Sequence, residues 1–134
     1  MANGKLRDYV WRVLSFLAAR SEFLDTEHPA FQFPEPDLVE NTKTLQATLI
    51  FRDGSRLHVR ATLDIEFDVR EFDYAYVYYD SRGARVFQYD DAPHHPGVAT
   101  HPHHLHRGEN RVRALDVPRV DFFAMLEQVL NHLR

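Results

Sequence analysis

The chain has 134 residues, enough for one hydrophobic core and too few for a multi-domain assembly, so it reads as one domain over residues 1–134. Its 44% apolar and 27% charged residues are those of a soluble globular protein, and 13% aromatic residues exclude a disordered one. A formal charge of −4 excludes nucleic-acid binding through overall basicity, and the absence of cysteine excludes disulfides and thiolate sites, leaving His, Asp and Glu as metal ligands.

The first apolar residues are interrupted by Arg12 and Arg20, so neither a signal peptide nor a membrane span is expected, and the cysteine-free composition fits a reducing, cytoplasmic setting. Residues 5–24 predict a helix, with Val10, Val13, Leu14, Leu17 and Ala18 on one face and Asn3 as its cap. Residues 25–41 carry three prolines and no period, which predicts a connecting loop with His28 exposed.

From Thr42 the hydrophobic period becomes two. Strands are predicted over about 42–52 and 55–68, with Leu45, Ala47, Leu49, Phe51, Leu57, Val59, Ala61, Leu63, Ile65 and Phe67 on the buried side. A three-residue turn Arg52-Asp53-Gly54 pairs Leu49 with Leu57 and Ala47 with Val59, which keeps the apolar residues on one face. A second hairpin, about 73–80 and 84–90, is predicted around Ser81-Arg82-Gly83. Its unbulged register pairs Val77 with Phe87 and Ala75 with Tyr89, and puts Tyr74, Tyr76, Tyr78 and Val86 on the other face.

A His-rich loop follows over 91–107, where Pro93, Pro96 and Pro102 exclude regular helix. A short edge strand is expected within Arg107 to Asp116. Pro118 then opens a last helix, about 119–133, whose apolar face is Phe122, Met125, Leu126, Val129, Leu130 and Leu133. The predicted fold class is α+β: an antiparallel β-meander of four to five strands packed against an N-terminal and a C-terminal helix.

Six of the nine histidines, His94, His95, His101, His103, His104 and His106, fall within thirteen residues. Histidine titrates near neutrality and is the commonest metal ligand. Three readings follow. His104, His106, His95 and a carboxylate such as Asp91 form a candidate ligand set for a divalent transition metal, although no HExxH or acidic EF-hand loop is present. Alternatively, the histidines supply acid and base for phosphodiester cleavage, with Tyr89 nearby and Arg107 and Arg111 binding phosphate. In the third reading they pin the loop by hydrogen bonds, and the segment with its tyrosine face is a non-catalytic partner-docking module.

FRDGSRL at 51–57, DYAYVYYD at 73–80, YDDAPHHP at 89–96 and HPHHLH at 101–106 together resemble the TumE family, the toxin component of a bacterial toxin–antitoxin pair. The resemblance implies a growth-inhibiting toxin, here read as a ribonuclease acting on RNA, neutralised by a cognate antitoxin that is itself a DNA-binding protein. It carries the motif positions Tyr89, Asp90, Pro93, His94, His95, Pro102, His103, His104 and His106. The expected catalytic set is therefore His94, His95, His103, His104, His106, Tyr89 and Asp90. Two places depart from the family pattern: Gln88 stands where arginine is frequent and Asp91 where asparagine is, which removes a cation and adds a carboxylate.

Overall fold

The computed structural model describes residues 2–36, 44–109 and 113–134. Helix α1 (Ala2–Ala18) is followed by a 3₁₀ turn, strands β1 (Thr44–Ile50), β2 (Arg56–Asp64), β3 (Arg70–Tyr79), β4 (Arg85–Asp90), β5 (His104–Arg107) and β6 (Leu115–Asp116), and helix α2 (Phe122–Leu133). The six strands form one antiparallel sheet in sequence order, a meander with one strand more than the sequence predicts.

Both helices lie on one face of this sheet. Leu6, Val10, Val13 and Leu17 of α1 and Phe122, Met125, Leu126, Val129 and Leu130 of α2 share a single buried cluster with Leu45, Leu49, Leu57, Val59 and the tyrosines of β3. Phe16 of α1 meets Phe123 of α2 edge to face at 5.3 Å. Each fully buried side chain of this kind contributes roughly 1.5–3 kcal/mol, so the helix-covered face carries the stability. The other face is free for polar residues.

The first hairpin has the predicted register, with Leu49 opposite Leu57 and Ala47 opposite Val59. Gly54, at φ 89°, closes it in a conformation that side chains with a Cβ rarely adopt. The second hairpin corrects the prediction. Its turn is as expected, but the register shifts at Val86, so Tyr78 faces Phe87, Val77 faces Gln88, Tyr76 faces Tyr89 and Ala75 faces Asp90. The cause is the preceding pairing. Leu57 opposite Tyr78 and Val59 opposite Tyr76 already commit the tyrosines to the core. An unbulged β4 would then bury Gln88 and Asp90 and expose Phe87 and Tyr89; the extra residue reverses both. Tyr74, Tyr76, Tyr78, Phe87 and Tyr89 are all buried on the helix side.

Other boundaries also move. Strand β2 ends at Asp64 and β3 starts at Arg70, so Phe67, expected on the buried side of a longer strand, lies between them and is exposed. The His-rich loop ends at His103, because His104 to Arg107 continue the sheet as β5 against β4. The edge strand expected within 107–116 is the two-residue β6, and residues 110–112 lie outside the described set. Helix α1 starts at Ala2 and ends at Ala18, so Asn3 lies inside it and is not its cap. Residues 42 and 43 of the first expected strand also fall outside the described residues. Helix α2 starts at Phe122, not in the turn after Pro118. Its cap is Asp121, whose carboxylate accepts from the Ala124 amide at 2.8 Å, a contact worth about 1 kcal/mol.

Candidate functional site

Strand pairing writes the site directly onto the uncovered face. Residues opposite one another across antiparallel strands share a face. One row therefore runs Thr48, His58, Val77, Gln88, His106, and the next runs Gln46, Arg60, Ala75, Asp90, His104. The small Ala75 leaves a gap between Arg60 on one side and Asp90 with His104 on the other. There a cleft of about 260 Å³ opens, lined also by His94, His95, Arg85, Gln88 and His106.

Three histidines meet in this cleft. The rings of His95 and His104 are 4.8 Å apart, His95 and His106 5.1 Å, and His104 and His106 5.0 Å, each pair edge to face. One ring nitrogen from each lies within 4.8 Å of the others. His104 and His106 are buried on β5, while His95 reaches over them from the loop and is half-buried.

Backbone carbonyls fix the tautomers. A carbonyl only accepts, so His104 Nδ1 donates to Pro102 O at 2.8 Å and His106 Nδ1 donates to Arg113 O at 3.0 Å. His106 Nε2 is left with its lone pair, and burial, the largest influence on it, holds the ring below the usual histidine range. His106 is therefore a neutral base. His104 differs: its Nε2 lies 2.8 Å from Asp90 Oδ1, so both of its nitrogens face acceptors. An imidazolium against a carboxylate satisfies that geometry.

Asp90 is buried and fully engaged. Besides His104 it accepts from the Gln88 side-chain amide at 2.8 Å and the Ala92 backbone amide at 3.1 Å. Gln88 accepts in turn from Arg85 Nη1 at 2.9 Å, and Arg85 Nε donates to Gly108 O at 2.7 Å. A relay of Arg85, Gln88, Asp90 and His104 thus runs under the cleft. Gln88 is the neutral link that lets Arg85 and Asp90 share one network. Arg60 is the cation on the far rim, exposed and held only loosely by Asp73 at 3.8 Å.

The loop is pinned at both ends. Thr100 Oγ1 donates to His103 O at 2.7 Å and accepts from the Val117 amide at 2.8 Å, while Asp116 accepts from the Ala99 amide at 3.0 Å. The His101–Pro102 peptide is cis. Asp91 spends its carboxylate on the backbone: Oδ2 accepts from the Asp73 amide and Oδ1 from the Tyr74 amide, both at 2.9 Å. That grip holds Asp73 in the left-handed region at φ 46°, where β3 carries a bulge opposite Arg60 and Thr62.

The structure thus gathers His95, His104, His106 and Asp90, with His94 exposed on the rim. Asp91 also lines the cleft, with its carboxylate held by backbone amides; among the described residues, the other expected ones are not brought to it. Tyr89 alternates to the buried face, and burial raises its hydroxyl pKa. Arg107 pairs with Phe87, in a row belonging to the helix-covered face. His103 stacks on Tyr74 at 5.8 Å and shares a 2.8 Å hydrogen bond with its hydroxyl, away from the three-ring cluster. Burial first, then the neighbouring cations, lower its pKa against the pull of Asp91. Asp91 stands apart from the clustered nitrogens, and Arg111 lies outside the described residues. Sequence reading missed Arg60, Arg85 and Gln88. Arg60 was legible as an outward residue of β2, but only the correct β3–β4 register places it across Ala75 from Asp90.

No helix among the described residues is long and apolar enough to cross a membrane. No curated protein and no solved structure matches the chain. The family described as Toxin TumE matches residues 16–134, which include every strand, the histidine segment and α2. That match covers most of the chain and includes the residues of the cleft: the chain belongs to the TumE family of toxins.

Proposed function

We propose that this toxin is a ribonuclease and that the cleft over Ala75 is where it breaks a phosphodiester bond. The observation that carries the proposal is the unlike state of adjacent histidines, with His106 held neutral by its Nδ1–H to Arg113 O and His104 held between a carbonyl and the Asp90 carboxylate. Acid–base catalysis needs a neutral base and a separate proton donor within one site. His104 has both nitrogens engaged, and His95, with its ring 5.1 Å from that of His106, is placed to be the donor.

The reaction balances without a further reagent. His106 Nε2 takes the proton of a ribose 2′-hydroxyl, and the 2′-oxygen bonds to phosphorus. The bond from phosphorus to the 5′-oxygen breaks, and that oxygen takes a proton from the imidazolium of His95. The products are a 2′,3′-cyclic phosphate and a 5′-hydroxyl. Arg60 and the His104 imidazolium face the phosphoryl oxygens as charge builds on them. Asp90 is a positioning residue that orients His104.

A specific observation supports a second reading, a divalent transition metal on His95, His104 and His106. Nδ1–H bonds to backbone carbonyls are the usual support of metal-ligating histidines. The fit is incomplete. Ligands at about 2.1 Å from a metal lie at most about 4.2 Å apart, against a spread of up to 4.8 Å here, and His104 Nε2 would have to leave or share Asp90. The half-buried His95 could close the gap. Acid–base chemistry needs neither change.

As a toxin the chain calls for a cognate antitoxin, which we take to be a DNA-binding protein encoded beside it, and both are expected to act in the cytoplasm. Expression alone should arrest growth and fragment RNA, co-expression with the antitoxin should relieve both, and His95→Ala should be folded and harmless. Growth arrest with intact RNA would overturn the ribonuclease reading. Cleavage lost on chelation and restored by zinc or manganese would replace acid–base chemistry with the metal.

A further inference from the structure

The uncovered sheet face does not stop at the cleft. A second recess of about 330 Å³ adjoins it, sharing Arg60 and Ala75 and lined by Gln32, Gln46, Thr48, His58 and Val77. A third, of about 390 Å³, shares His58 with the second and is lined by Arg56, Tyr79 and Arg82. The three form one path from the histidine cluster to the far hairpins.

Its chemistry is not that of the whole chain. The net charge is −4. Yet the described residues facing outward in the rows Ile50–Arg56–Tyr79–Arg85, Thr48–His58–Val77–Gln88–His106 and Gln46–Arg60–Ala75–Asp90–His104 include three arginines and three histidines against one carboxylate. That carboxylate, Asp90, is buried and already engaged by His104 and Gln88. The other carboxylates lining the three recesses are engaged as well: Asp73 by Arg60, Asp80 by the Arg82 and Ala84 amides, and Asp91 by the Asp73 and Tyr74 amides. At the far end the rings of His58 and Tyr79 meet edge to face at 5.5 Å, and both are half-buried beside Arg56. Flat aromatic rings interleaved with cations, over a floor as low as Ala75 and Val77, suit unpaired bases and a phosphate backbone. His58 stands three strand spacings from His106, roughly 14 Å, which is longer than one nucleotide.

We infer that this face is a binding track for single-stranded RNA, leading from the scissile phosphate at the histidine cluster across Ala75 and Val77 to a base-stacking and phosphate-binding subsite made by Arg56, His58 and Tyr79. The inference rests on the ribonuclease reading for its choice of ligand, and it names the substrate as an unpaired strand extending to one side of the cleaved bond.

The test measures binding and cleavage separately. Binding is read by fluorescence anisotropy with a ten-nucleotide RNA carrying 2′-O-methyl groups throughout, which cannot be cleaved by attack of a 2′-hydroxyl. Tyr79→Ala should raise its Kd about tenfold, and Arg56→Ala should weaken binding and lower the salt dependence by about one phosphate contact. The same RNA annealed to its complement should bind more weakly than the single strand. In cleavage, both variants should raise KM for a ten-nucleotide substrate and leave kcat on a dinucleotide at the wild-type level. Tyr79→Leu and melting curves guard against misfolding. Unchanged Kd in both folded variants or equal affinity for duplex would overturn the track. If the wild type binds through these residues but cleaves nothing, the ribonuclease reading fails and the track stands. If it cleaves but the variants bind normally, only the track fails.

Discussion

Asp90 is the residue on which the site's geometry depends most. Replacing it by alanine removes the acceptor for His104 Nε2 at 2.8 Å, for the Gln88 amide at 2.8 Å and for the Ala92 amide at 3.1 Å. The pair is shielded, with side-chain exposures of 2% and 7%, so removing one partner strands the other and costs about 3–5 kcal/mol. Asparagine is not a rescue. Its amide can present oxygen to His104 but then turns NH₂ toward the NH₂ of Gln88, and rotating Gln88 would turn its own NH₂ toward Arg85. One buried donor is left without a partner whichever way the amides turn, a cost of about 1–3 kcal/mol. A double-mutant cycle of Asp90→Ala and His104→Ala, read by urea unfolding at neutral pH, should give a coupling of about 1.5–3 kcal/mol, the range for a charged hydrogen bond. The exposed pair Arg60–Asp73, at 3.8 Å and with 51% and 67% exposure, is the control and should give about 0–1 kcal/mol. An Asp90–His104 coupling no larger than the control would refute the relay.

Further outcomes follow from the titrating groups. His58, His103 and His106 all lie below the ordinary histidine value of 6.5, with burial as the first cause. The unfolded chain takes up protons before the native one, so this stability is complete above about 6.5. It is lost as the pH falls from there through the lowered native values. The melting midpoint should drop in that window and drop less in His103→Gln; a flat profile would contradict the burial. By the same sign, the acid limb of kcat/KM should lie below the ordinary histidine range, because His106 keeps its base form there. Burial raises Tyr9, Tyr74, Tyr76, Tyr78 and Tyr89 above their ordinary value of 10.0. Their tyrosinate absorbance should therefore appear only as the protein unfolds in alkali. Tyr89 ionising at its ordinary value in the folded protein would restore the unbulged register.

Local patterns were legible because each is set by neighbouring residues. The period of two in β1 and β2, the turn glycines and the apolar stripe of α2 each predict their element without reference to anything distant. The β3–β4 register was not, because a single extra residue at Val86 inverts every side chain after it. What selects that bulge is the burial of Tyr76 and Tyr78 by β2, a contact between strands. The histidine segment was recognisable by density alone. Which of its histidines converge was not, since that depends on β5 joining the sheet and alternating His104 and His106 to the open face while Leu105 goes inward. Tyr89 does not reach the cleft for the same reason: alternation in β4 sends Gln88 and Asp90 to the cleft and Tyr89 to the core.

The most direct test of the account is cleavage of a short single-stranded RNA by the purified protein in the presence of a strong chelator, with the product ends identified. The account predicts fragments ending in a 2′,3′-cyclic phosphate and a 5′-hydroxyl, no cleavage when the scissile ribose lacks its 2′-hydroxyl, and no activity in a folded His95→Ala protein. Cleavage that requires an added divalent metal, cuts the 2′-deoxy strand equally well or persists in His95→Ala would contradict it.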